Sequence, residues 1–224
     1  MIEIKNIKKT YGKNCVLKDI CLTVNEGDCI GIVGANGSGK TTLLSIISGI
    51  YKADSGKIFI DGQDITASSK AVSHYISYVP QENPLIEELS GLDNLRLWYK
   101  GSRKELDKEL KDGILHVLGI DNYCNKTVSK MSGGMKKRLS IGIALLEKPS
   151  LLIMDEPSAA LDISGKYEIK EYMKYYTSKL NGSIIVASHD QNELSVCNKL
   201  YLLKNGLLQP ISSDMHEDEL IKIL

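Results

Sequence analysis

Eight consecutive residues, Gly34-Ala35-Asn36-Gly37-Ser38-Gly39-Lys40-Thr41, constrain this chain more than any other stretch. They follow the short apolar run Cys29-Ile30-Gly31-Ile32-Val33, and a helix is expected to start at about Lys40. Glycines at this spacing let the backbone fold so that several N–H groups point inward, beside the positive end of the following helix. The result is a receptor for phosphate oxygens. Lys40 supplies a point charge for the β- and γ-phosphates of a nucleotide, and the Thr41 hydroxyl suits Mg2+. The strand before the loop and the helix after it are the context that separates this pattern from a mere glycine-rich turn.

A second element matches the first. The run Leu151-Leu152-Ile153-Met154 is an apolar strand that stops at Asp155 and Glu156. A buried strand ending in an acid places that acid at the carboxyl edge of a sheet, where open α/β sheets hold ligands. Asp155 suits Mg2+ coordination. Glu156 suits orienting or deprotonating a water aligned for attack on a γ-phosphate. Read alone, such a pair can also be a surface acid pair or a helix cap.

The rest of the chain is organised around these two elements. Ile20, Leu22 and Val24 alternate with polar neighbours, and Glu26-Gly27-Asp28 turns into the strand before the loop. Residues 57–60 followed by Asp61-Gly62 have the pattern of a hairpin. Residues 83–128 are mostly helical in pattern, with Leu106, Leu110, Ile114, Val117 and Leu118 expected on one helix face. The charges at 103–105, 107–109 and 111 are expected to be a solvated face. A helix is expected after Ser132, with Met135, Leu139, Ile143 and Leu146 on one side. Strand patterns return at 151–154, 183–187 and 200–203, the last closed by Asn205-Gly206. Strands alternating with helices imply a parallel sheet covered on both faces. The expected division is a core of residues 1–82 and 135–224 with a helical insertion at about 83–134.

Composition narrows the setting. The chain has 224 residues, 28 basic and 28 acidic side chains and no net charge, so charge alone does not draw it to nucleic acid. No apolar stretch approaches the roughly 20 residues that cross a bilayer, and the N-terminus has no secretory pattern. The five cysteines show no paired spacing, which favours buried free thiols over metal ligation or disulfides.

Between the loop and the acidic strand lies Lys130-Met131-Ser132-Gly133-Gly134-Met135-Lys136-Lys137-Arg138. It resembles the signature of the ABC (ATP-binding-cassette) ATPases, with methionines where Leu and Gln are usual. Ser132 with two glycines is also a good helix start. Tyr78-Val79-Pro80-Gln81 resembles the Q-loop, Ser158-Ala159-Ala160-Leu161-Asp162 the D-loop, and Ala187-Ser188-His189-Asp190 the switch histidine. The resemblance spans residues 2–208.

It implies a P-loop NTPase (RecA-like) α/β core with a parallel sheet, an N-terminal antiparallel β-subdomain and an inserted α-helical subdomain. It assigns Tyr11, Gly34, Ala35, Asn36, Gly37, Ser38, Gly39, Lys40, Thr41 and Thr42 to ATP, with Tyr11 stacked on adenine. Thr41, Gln81 and Asp155 fall to Mg2+, and Glu156, His189 and Gln81 to catalysis. Ser132, Gly133 and Gly134 fall to the ATP of a second subunit, with Asp162 in the D-loop between them. The implied protein is a cytoplasmic ATPase, a homodimer or heterodimer held on the inner face of a membrane by a transmembrane permease. Gly-Gly-Met-Lys-Lys-Arg looks like the subfamily driving small export systems, and the lack of a C-terminal regulatory domain favours export too. A soluble ABC ATPase acting on nucleic acid or ribosomes is the alternative, though the chain has one cassette and no heptad array. A GTPase switch would need an Asn-Lys-x-Asp guanine reader. Asn125-Lys126-Thr127-Val128 and Asn198-Lys199-Leu200-Tyr201 both lack its acid.

Overall fold

The computed structural model describes residues 1–159 and 161–213. Ala160 of the expected D-loop and the end of the expected core lie outside them. Two long strands open the chain, β1 (Ile2–Tyr11) and β2 (Asn14–Val24). Ile2, Ile4 and Ile7 of the first and Leu17, Ile20, Leu22 and Val24 of the second are buried, the period of two of a one-sided sheet, broken by one step of three on each strand where the pairing shifts register. Next come β3 (Cys29–Val33), α1 (Lys40–Ile47), β4 (Ser55–Ile60), β5 (Gln63–Asp64), α2 (Ser69–Tyr75) and β6 (Ile76–Val79). A helical stretch carries α3 (Gly91–Trp98), α4 (Arg103–Lys111) and α5 (Ile114–Val117), and α6 (Gly133–Leu145) leads out of it. The chain then alternates through β7 (Leu151–Asp155), α7 (Ile163–Lys179), β8 (Ser183–Ala187) and α8 (Gln191–Leu194), followed by the hairpin β9 (Lys199–Lys204) and β10 (Leu207–Ile211).

These strands make two sheets. One is antiparallel, in the order β2-β1-β4-β5. The other has the order β10-β9-β3-β8-β7-β6 and is parallel apart from β10. Every residue of β3, β7 and β8 is buried, as expected of parallel strands covered on both faces. Ile30, Ile32, Leu151, Ile153 and Ile185 face α1 and the antiparallel sheet in one core. Cys29, Val33, Leu152, Met154, Ile184 and Val186 face the helices in the other. The register pairs Ile32 with Ala187 and Ala187 with Asp155, so three strands end side by side at one edge.

The helical stretch departs from the expected single face. Asp112 and Gly113 end α4, and the Glu109 carboxylate accepts a hydrogen bond from Ile114 N at 2.9 Å as α5 begins. This break resets the helical phase. Leu106, Leu115 and Leu118 face the core, while Val117 is half exposed. The charged face of α4 is solvated, as expected. On α6, Leu139 and Leu146 are buried, but Ile141, Gly142 and Leu145 are too, so the helix packs on two sides. The thiols also divide. Cys29, Cys124 and Cys197 are buried, whereas Cys21 points outward between Ile20 and Leu22 and is exposed. Cys29 and Cys197, remote in sequence, bring their sulfurs within 3.5 Å.

Candidate active site

The shared strand edge collects the expected residues. Loop 34–39 leaves β3, Glu156 leaves β7, and Ser188-His189 leave β8. Gly34 is fixed by close approach, because a Cβ there would sit 2.6 Å from the Leu203 carbonyl oxygen and 2.6 Å from Ser38 Oγ. Gly39 is fixed by its backbone, at φ +105°, with Val16 2.7 Å from where a Cβ would stand. The loop closes through Ser38 N, which donates to Ala35 O at 3.0 Å. Ser38 Oγ is buried with no hydrogen-bond partner, an orphan that a phosphate oxygen would satisfy.

A pocket of about 480 Å3 opens over this loop, lined by Tyr11, Val16, Asn36, Gly37, Gly39, Lys40, Thr41, Thr42, Gln81 and Glu156. Tyr11, 48% exposed, stands at its rim with the Lys9 ammonium over its ring at 5.4 Å. Lys40 is buried, and its Nζ donates to Gly34 O at 2.6 Å and lies 3.1 Å from His189 Nε2. Burial lowers the proton affinity of Lys40, while Glu156 and Asp155 oppose that shift. Burial and the nearby Lys40 charge lower His189 below the ordinary histidine value, so its ring is neutral at pH 7. His189 Nε2 also lies 3.7 Å from Glu156 Oε1.

Glu156 has φ +44°, a left-handed backbone that a glutamate adopts only when its surroundings force it. Its N donates to Ala187 O at 2.8 Å, and its carbonyl accepts from Ala159 N at 3.1 Å. Both bonds hold the turn that swings the carboxylate into the pocket. Asp155 is buried at the end of β7 and accepts a hydrogen bond from Tyr78 OH at 3.2 Å. Sequence reading missed Tyr78, although its strand pairs with the acidic one, Tyr78 opposite Ile153. Thr41, Gln81 and Asp155 offer only oxygen donors, the set that Mg2+ prefers. Among the described residues no cluster of three His, Cys, Asp or Glu side chains is placed to hold a metal ion.

Ser132, Gly133 and Gly134 lie elsewhere. They line a separate cavity of about 330 Å3 with Arg138, Leu161, Asp162, Ser164, Gly165 and Glu168. Ser132 caps α6, accepting from Met135 N at 3.3 Å, and Asp162 caps α7, accepting from Gly165 N at 2.8 Å. Both residues are helix caps as well as exposed groups. The two cavities share no lining residue.

Known proteins resemble this chain in sequence and fold. A family profile described as ABC transporter matches residues 17–159. The linearmycin resistance ATP-binding protein LnrL of Bacillus subtilis is 34% identical over 209 residues, 92% of this chain and 67% of that protein. The spermidine/putrescine import ATP-binding protein PotA of Haemophilus influenzae is 31% identical over 224 residues, 97% of this chain and 60% of that one. This chain is therefore shorter than either relative. Among solved structures, the dimeric post-hydrolysis state of the ATP-binding cassette MJ0796 bound to ADP and Pi superposes with a TM-score of 0.82 at 28% identity. That match covers 96% of this chain and 100% of the other. Its fold, its phosphate loop and its acidic strand lead to one conclusion: this chain is an ATP-binding cassette and belongs to the ABC transporter family.

Proposed function

We propose that this chain hydrolyses ATP as one half of a cassette pair and drives a transmembrane permease, in the direction of export. The observation that carries the pairing is the separation of the two cavities. One holds the phosphate loop and Glu156, the other the exposed N-terminus of α6, and neither has the groups of the other. A second chain, the same or a related one, that offers Ser132, Gly133 and Gly134 to nucleotide on residues 34–42 completes both sites. ATP then binds as an anion between two donor-rich surfaces.

In this reading Tyr11 stacks on the base, and the N–H groups of the loop with Lys40 hold the phosphates. Thr41, Gln81 and Asp155 would hold Mg2+, which would neutralise phosphate charge. Glu156 orients and deprotonates the attacking water, and neutral His189 faces the γ-phosphate. Asp162 lies beside the second chain's site. Hydrolysis splits the shared anion into ADP and phosphate, and their release lets the halves part.

The helical stretch at 83–134 would carry that motion to the permease. Leu97 is 57% and Trp98 49% exposed at the end of α3, and they supply apolar contact, while Leu95 is core. Among the described residues no helix is long and apolar enough to cross a membrane, so the crossing falls to the partner. Export rests on the Gly-Gly-Met-Lys-Lys-Arg run alone, because relatives are named for resistance and for import alike. ATPase rate against protein concentration tests the pairing. A rate rising faster than linearly at low concentration is expected; full activity per chain at concentrations where only monomer exists would overturn it.

A further inference from the structure

Lys137 has no part in the site described so far, yet it is the bulkiest of the fully buried side chains, 2% exposed. It lies on α6, a turn and a half beyond Ser132. Burying an ammonium group is unfavourable unless hydrogen bonds and opposite charge compensate. Here Nζ donates to Pro80 O at 3.0 Å and to Gln81 O at 2.9 Å. The carboxylates of Glu193 and Asp155 act on it as well. Glu193 is itself 1% exposed, on the helix that follows His189. Burial lowers the Lys137 ammonium to about 8, which leaves it charged at neutral pH.

Gln81 therefore faces two ways. Its side chain lines the nucleotide pocket of its own chain, and its carbonyl is held by α6. Ser132, a turn and a half before Lys137, caps the N-terminal end of α6 in the cavity that serves the second chain. The helix is continuous from Gly133 to Leu145, so the Ser132 cap and Lys137 sit on one unbroken element. An apolar side chain of similar volume would fill the same space and hold neither carbonyl.

We propose that Lys137 is a positioning residue that ties Gln81, and through it this chain's own nucleotide pocket, to the helix whose N-terminus meets the nucleotide of the second chain. It is the mechanical link by which one ATP site senses the other. This rests on the paired-cassette reading above.

The test compares wild type with Lys137→Met, which keeps the volume, and Lys137→Gln, which keeps an amide donor. MgATP affinity and the number of competent sites come from calorimetric titration, and kcat is expressed per competent site. Lys137→Met should bind MgATP with affinity within about twofold of wild type, lose about tenfold or more in kcat, and show a Hill coefficient for ATP falling to 1. Lys137→Gln should recover part of the rate and of the cooperativity. Hydrogen exchange in Lys137→Met should rise at residues 80–86 and not across the central sheet. Unchanged kcat per site and unchanged cooperativity in Lys137→Met would overturn the proposal. So would equal impairment of both variants with exchange raised throughout the chain, which is a packing defect. If Lys137→Met does not fold, Lys137→Gln decides: a lowered kcat per site at unchanged affinity supports the tether, and wild-type kcat and cooperativity refute it. Wild-type protein that fails to bind MgATP would instead sink the reading of the site itself.

Discussion

The ammonium of Lys40 and the ring of His189 meet at 3.1 Å, Nζ to Nε2. An ammonium only donates, so Nε2 is the acceptor and the ring proton sits on Nδ1. A cation from the phosphate loop and a neutral histidine from the far end of β8 thus share one corner of the pocket.

Replacing Lys40 with Ala removes the one buried cation facing the phosphates. MgATP affinity should fall by about 3 kcal/mol, on the order of 100-fold in Kd. A calorimetric titration reads this directly. Unchanged affinity would show that residues 34–41 do not hold the nucleotide.

Glu156→Gln keeps the shape of the side chain and its contact with water but cannot take the proton. Hydrolysis should fall by about 10²- to 10⁴-fold with binding nearly intact. With turnover blocked, the variant should elute as a dimer in ATP and Mg2+ on size exclusion. Adding Ser132→Arg should return it to monomer, since the long side chain stands where phosphate must approach. Wild-type turnover in Glu156→Gln would remove its role as base. An inactive variant that stays monomeric in ATP would leave the pairing without support.

The His189 ring also makes a pH prediction for the nucleotide-free protein. Its folded pKa lies below the ordinary 6.5, so the unfolded chain takes up the proton first on acidification. The contribution of the neutral ring is complete above pH 6.5 and is lost as pH falls from there toward the folded pKa. His189→Gln should flatten this part of the Tm-against-pH curve. The side chain is 37% exposed, so solvent screening keeps the difference to about 1 °C. Parallel curves for the two proteins down to pH 5 would contradict the shift.

Asn94 is fully buried on α3 and pins the segment before it. Its side chain accepts from Ile86 N at 2.8 Å and donates to Ile86 O at 3.1 Å and Ser90 O at 3.0 Å. Asn94→Ala should cost about 2–3 kcal/mol by stranding these backbone groups, read in urea unfolding. A loss under about 0.5 kcal/mol would mean that the segment re-pairs with water.

What could be read in the sequence was what has a fixed spacing. The loop at 34–41, the acid-ended strand and the alternation on β2 follow from local geometry, and each stands where its pattern puts it. The break at Gly113 was not legible, because a five-residue apolar periodicity runs straight across it and only the Glu109 cap marks the new start. Strand β6 was missed for a different reason: four residues beside Pro80 are too few to show a period. Tyr78 and Lys137 could not be assigned from sequence, since their roles come from partners 77 and 56 residues away. Tertiary pairing of that kind leaves no local mark.

The left-handed backbone of Glu156 has a consequence for how this protein can change. Such a conformation costs a non-glycine residue about 1–2 kcal/mol, and glycine is free of most of that penalty. Glu156→Gly should therefore give a chain that is more resistant to unfolding and unable to turn over ATP. Any search that selects for stability alone will be drawn to this position and will find the dead protein first.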